Sequence, residues 1–250
     1  MKTNLITLLS FASAISIGLV ACAPTPAPTS APVATVAPAP TAAPAATVAA
    51  PATAAPAAKA PVPAGAVTLK IVEGESNAQY EVNETLFNEN NKLATAIGVT
   101  PKVNGEIQLN PQDPGKSKVG RITVDVSLLK SEGNPNGNGS PRRDGFIMRT
   151  ALESSKYPIA EFTPKTYEGL PATYKTGDTL KFKMSGDMKV HETVTPVTWD
   201  VEAAYDGSTL KGKATTAVKM SMFGFQPPNI AGMLRAEDDT KLALVFVAKP

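Results

Sequence analysis

Leu180-Lys181-Phe182-Lys183-Met184-Ser185-Gly186-Asp187-Met188-Lys189-Val190 alternates apolar and polar residues with a period of two, and its reading decides the fold. Successive side chains of a strand point to opposite faces, so Leu180, Phe182 and Met184 share one face while Lys181 and Lys183 share the other. The phase resumes at Met188 and Val190 after Gly186, where a bulge or sharp bend is expected. The next run repeats the signal, with Val197, Trp199 and Val201 alternating with Thr198, Asp200 and Glu202.

Working outward, Ile122, Val124, Val126 and Leu128 alternate with Thr123, Asp125 and Ser127, an even phase runs through Leu210, Ala214, Val218 and Met220, and Leu242, Leu244 and Phe246 form the last strand. Earlier strands are expected at residues 67–72, around 80–82 and at 103–109. These amount to about eight strands joined by polar turns such as Tyr205-Asp206-Gly207-Ser208. Residues 142–152 hold helix formers without strict alternation, followed by Tyr157-Pro158, so one short helix is expected there. Many antiparallel strands with a single helix predict an all-β, closed or nearly closed eight-stranded barrel, since closure removes edges that a domain of this size would otherwise have to protect.

The chain of 250 residues divides into three parts. Residues 1–21 carry Lys2 and then an apolar stretch, residues 5–20, too short for a comfortable membrane span. The stretch ends in Leu19-Val20-Ala21-Cys22, and Cys22 is the only cysteine. This resembles the lipobox of bacterial lipoproteins, which implies cleavage before Cys22 and a membrane anchor of acyl chains carried on it. Residues 22–65 are nearly all Ala, Pro, Thr and Val, with Lys59 as the one charge. Such a segment has little to bury and is expected to be a disordered tether, reaching on the order of 130 Å if fully polyproline II. Residues 66–250 are enough for one core and too few for two, so they are expected to form one folded, monomeric domain.

Charge and composition exclude several functions. Setting aside Lys2 and Lys59, the 24 Lys and Arg fall to 22, which balances the 22 Asp and Glu, so residues 66–250 offer no basic excess for nucleic acid. His191 is the only histidine, so multi-His and Cys/His metal sites cannot be built, and a nucleophilic triad would have to rest on His191 alone. No catalytic residue, metal or cofactor is assigned, and the chain is expected not to be an enzyme.

Arg142-Arg143-Asp144, then Leu152-Glu153-Ser154-Ser155-Lys156-Tyr157-Pro158-Ile159-Ala160-Glu161-Phe162, then Gly186-Asp187-Met188-Lys189-Val190-His191, Thr195-Pro196-Val197-Thr198 and Phe223-Gly224-Phe225 resemble, in order and spacing, the successive signatures of the YceI-like family. These are bacterial lipid- and polyisoprenoid-binding proteins with a lipocalin-like barrel. Glu192 stands where the family commonly has Gly, Met188 and Lys189 replace Leu and Thr, and the loop at residues 133–141 is long for the family.

The resemblance implies binding rather than catalysis: an extracytoplasmic carrier, storage or stress-related protein of the cell envelope that buries a long-chain isoprenoid or fatty amphiphile, such as an isoprenoid quinone or polyprenyl lipid. Leu180, Phe182, Met184, Trp199 and Val201 are the expected cavity lining, because the opposite phase carries Lys181, Lys183, Asp200 and Glu202, and charges inside a narrow apolar barrel are costly unless paired. The alternative is that these side chains simply fill the interior. Arg143, Asp144 and His191 are candidates for the pocket mouth, where they would meet a polar head group; alternatively Asp144 caps the helix, Arg143 pairs with a strand carboxylate and His191 sits in a turn. Two further functions stay open, a surface-displayed interaction module without a ligand and a lipid-acting enzyme.

Overall fold

The opening stretch is a strand, Thr179–Val190, paired antiparallel along its length with Thr193–Tyr205 in a register that sets Phe182 opposite Val201 and Met184 opposite Trp199. The structure, a computed structural model, describes residues 65–132 and 141–250. All of them belong to one compact unit. The leader, Cys22, the linker and most of the 133–141 loop lie outside the described residues.

The phase expected from the alternation is the one the barrel adopts. Leu180, Met184, Trp199 and Val201 are buried and Phe182 packs against them, while Lys181 pairs with Glu202 at 2.7 Å and Lys183 with Asp200 at 2.5 Å on the outer face. These exposed cross-strand pairs add little to stability; they show where water is. The bulge expected at Gly186 is also present, as a register shift between Ser185 and Gly186 against the strand Ile159–Glu168. A Cβ on Gly186 would lie 2.2 Å from the Thr163 carbonyl oxygen, so only glycine permits that backbone approach.

Fourteen strand segments are described where about eight strands are expected, and interruption accounts for the difference. Val67–Ile71 and Asn77–Leu86 follow one another along Leu234–Lys249. On their other side run Glu106–Leu109 and Lys92–Thr100. That path, which also includes Val103–Asn104, pairs onward with Lys118–Val119, Ile122–Asp125 and Lys130–Ser131. Next come Ile159–Glu168, Thr179–Val190, Thr193–Tyr205, Leu210–Lys219 and finally Leu234–Lys249, whose first residues also pair with Asn229–Ile230, every pair antiparallel. The pairing thus returns to its start, and the segments lie along eight paths of a curled antiparallel sheet.

The interruptions have local causes. Residues 103–109, expected as one strand, break at Gly105, where a Cβ would meet Ile122 Cδ1 at 2.4 Å. The strand expected to run on to Leu128 stops at Asp125, because Asp125 Oδ1 accepts from the Ser127 backbone N–H at 2.9 Å and opens a 3-10 turn, Val126–Leu128. Leu128 is therefore 44% exposed instead of facing the core. The helix is Pro141–Phe146, continued by a wider turn, Ile147–Ala151, in which the Leu152 N–H donates to the Ile147 carbonyl at 2.8 Å. It lies across one end of the barrel, with Phe146, Ile147 and Ala151 facing inward.

Candidate functional site

Inward side chains leave the barrel incompletely filled. Beneath the helix lies a chamber of about 220 Å³ walled by Val82, Val124, Phe162, Met188, Trp199 and Phe223 among others. A second chamber of about 70 Å³ lies toward the other end, against Ile107, Leu109, Leu180, Phe182, Val201 and Phe246. Ile122, Met184, Ala214 and Leu244 border both, so a wall one side chain thick separates them. Met184 is the unbranched, flexible member of that wall.

Polarity is concentrated at the helix end. Glu84, 4% exposed, borders the larger chamber, and its Oε1 is ion-paired with the guanidinium of Arg143 from the helix. Its Oε2 has no hydrogen-bond partner among the described residues. Tyr80 stands beside them, and burial pushes its hydroxyl up to about 12, with Glu84 and Asp144 adding to the rise and Arg143 opposing it. The Tyr80 ring lies over Gly98 of the neighbouring strand, where a Cβ would come 2.2 Å from ring Cε1. A third polar group is the Trp199 indole N–H, buried in the chamber wall with no acceptor among the described residues.

The residues expected to line one cavity are thus divided between two chambers. Trp199 borders the larger, Leu180, Phe182 and Val201 the smaller, and Met184 both. Of the three polar candidates, only Arg143 borders a chamber. Asp144 turns away, its Oδ1 accepting from the Ser131 backbone N–H at 2.8 Å and from the Ser131 hydroxyl, which ties the helix to Lys130–Ser131. His191 occupies the turn between Val190 and Thr193 with φ +56°, donates from Nε2 to the Leu152 carbonyl at 2.6 Å, stacks on Tyr157 with ring centroids 4.8 Å apart and meets the Phe225 ring at a tilt, centroids 5.3 Å apart. Both residues therefore brace the capping segment, and neither is among the residues that line the two chambers. Glu192, where the family commonly has Gly, sits at that turn and accepts from the Tyr157 hydroxyl at 3.2 Å.

Glu84 and Tyr80 are the site residues that the sequence reading missed. A signal existed: Tyr80, Val82 and Glu84 share one phase of Asn77–Leu86, so an acid stands on the apolar face of a strand. Among the described residues no group of three or more His, Cys, Asp and Glu is placed to hold a metal.

An antiparallel barrel capped by a short helix around an apolar interior defines the class of fold, a small barrel whose interior is wide enough for side chains or one slender ligand. A family model described as YceI-like domain matches residues 70–248, and the chain belongs to that family. Among solved structures it is similar to BcnA of Burkholderia cenocepacia, with 16% identity, coverage of 72% of this chain and 99% of that one, and a TM-score of 0.53. It is also similar to a polyisoprenoid-binding domain from Saccharophagus degradans implicated in plant cell wall breakdown, with 11% identity, coverage of 72% and 97%, and a TM-score of 0.52. These likenesses show the fold. No curated protein sequence matches the chain.

Proposed function

We propose that the barrel holds a long-chain isoprenoid or similar amphiphilic lipid, with its polar head at the Arg143–Glu84 end and its tail running past Trp199 and Met184 toward the second chamber. The observation that carries this reading is an apolar chamber of about 220 Å³ polarised at one end by a buried ion pair. The name of the Saccharophagus degradans relative, a polyisoprenoid-binding domain, supports the same ligand class. Each buried methylene contributes about 0.8 kcal/mol, so a prenyl tail needs no hydrogen bond to bind well. The larger chamber alone falls below the roughly 300–1,000 Å³ of common ligand pockets, and the second brings the total only to the lower edge of that range, so a long tail would fill both. No bond of the ligand is broken in this reading; the protein desolvates, orients and later releases it. In the same proposal the domain is extracytoplasmic, a monomer held to a membrane through acylated Cys22 on the linker.

The test is titration of the purified chain with a solubilised polyprenol or isoprenoid quinone, read by the fluorescence of Trp199, the only tryptophan. Saturable quenching or enhancement is expected, together with mass-spectrometric recovery of a lipid from freshly purified protein. Phe182→Gln, in the second chamber, should weaken binding at least about tenfold by placing an amide against the tail, whereas Lys183→Gln on the outer face should not. No spectral change with any long-chain amphiphile and no extractable lipid would remove the carrier reading and leave the interaction module in its place.

A further inference from the structure

Resting on the lipid-binding reading, we infer that the cavity selects a neutral, hydrogen-bond-donating head group, such as a primary alcohol, over a carboxylate or phosphate head. The carboxylate of Glu84 is nearly inaccessible to water, and an ionised carboxylate only accepts hydrogen bonds. One of its oxygens is taken by Arg143 and the other is unpartnered among the described residues. A buried acceptor left unmade is costly, more so when charged, so a ligand O–H or N–H that reaches Glu84 at its end of the larger chamber would relieve that cost.

Charge in the chamber wall points the same way. Arg143 is the one Lys or Arg among the described residues bordering the larger chamber, and its charge is already met by Glu84. Glu161 also borders the chamber and pairs outward with Arg121 at 3.4 Å. An anionic head would therefore face the Glu84 carboxylate and a guanidinium already paired with it, in a setting where water does little screening, while the Glu161 side chain points to the outer face. Tyr80 adds no charge to that balance, since a tyrosine hydroxyl is neutral at neutral pH.

The experiment uses the purified chain and three probes with one tail: a prenyl alcohol, its methyl ether and the matching carboxylic acid at a pH where the acid is ionised. Trp199 fluorescence reports each affinity. The alcohol should bind about tenfold or more tightly than the ether, which lacks the donor, and than the acid, which brings a second anion. Glu84→Gln, which removes the anion that would repel an acid head, should reduce the alcohol-to-acid ratio to below about threefold. Equal affinity of the wild-type protein for alcohol and ether, or an unchanged alcohol-to-acid ratio in a folded Glu84→Gln variant, would overturn the inference. The wild-type series decides it even if the variant does not fold. Equal binding of all three probes removes only the head-group inference, whereas no binding of any removes the lipid reading with it.

Discussion

Arg143 on the capping helix and Glu84 on the barrel wall, 59 residues apart in the chain, meet as an ion pair at the polar end of an otherwise apolar chamber. Glu84 is 4% exposed and Arg143 29%, so the acid is desolvated more completely than its partner. A well-packed apolar pair of similar volume would hold the helix to the barrel at least as firmly. The ion pair adds polarity at a defined depth, and it makes the helix sensitive to the loss of either partner.

Removing Arg143 alone leaves the Glu84 carboxylate buried and uncompensated. Arg143→Met is expected to lower the unfolding free energy by about 3 kcal/mol in urea denaturation, and the double variant Arg143→Met/Glu84→Leu to recover most of that loss. An unchanged midpoint in Arg143→Met would show that Glu84 is stabilised by other groups.

Met184 divides the two chambers, so its truncation should join them. Met184→Ala is expected to cost about 2–5 kcal/mol of stability and to shift the preferred tail length upward in a series of prenyl alcohols. The observation against it would be a folded variant whose length preference matches the wild type.

Tyr80 gives the fold a weakness in alkali. Its folded pKa of about 12 lies above the ordinary tyrosine value, so the unfolded chain releases the proton first and stability falls as pH rises between about 10 and 12. The loss should be on the order of 2 kcal/mol across that window, and Tyr80→Phe should flatten that part of the stability–pH curve. Denaturation at stepped alkaline pH measures both, and identical slopes for the two proteins would rule the effect out.

Anchoring is read by fractionation. Cys22→Ser removes the only thiol, and with it the attachment site that the proposal assigns to a thioether-linked lipid. The variant should move from the membrane pellet to the soluble extracytoplasmic fraction, and persistence in the pellet after a salt wash would place the anchor elsewhere.

Alternation by two was enough to place Leu180, Met184, Trp199 and Val201 inward and Lys181, Lys183, Asp200 and Glu202 outward, because a strand has only two faces and an apolar interior rejects unpaired charge. The bulge at Gly186, the short helix near residues 142–152 and the barrel were legible for similarly local reasons. Tertiary structure alone decided what lies across the interior. Glu84 and Arg143 meet only because the sheet curls and the helix crosses its end, and Met184 separates two chambers because strands remote in sequence bring Ile122, Ala214 and Leu244 to the same depth. Asp144 and His191 carried the right chemistry for a pocket mouth, yet each found a nearer partner in Ser131 and Leu152. Periodicity records which face a side chain takes; it holds no information about which side chains from other strands share that face at the same height, and the shape of the cavity depends on that arrangement.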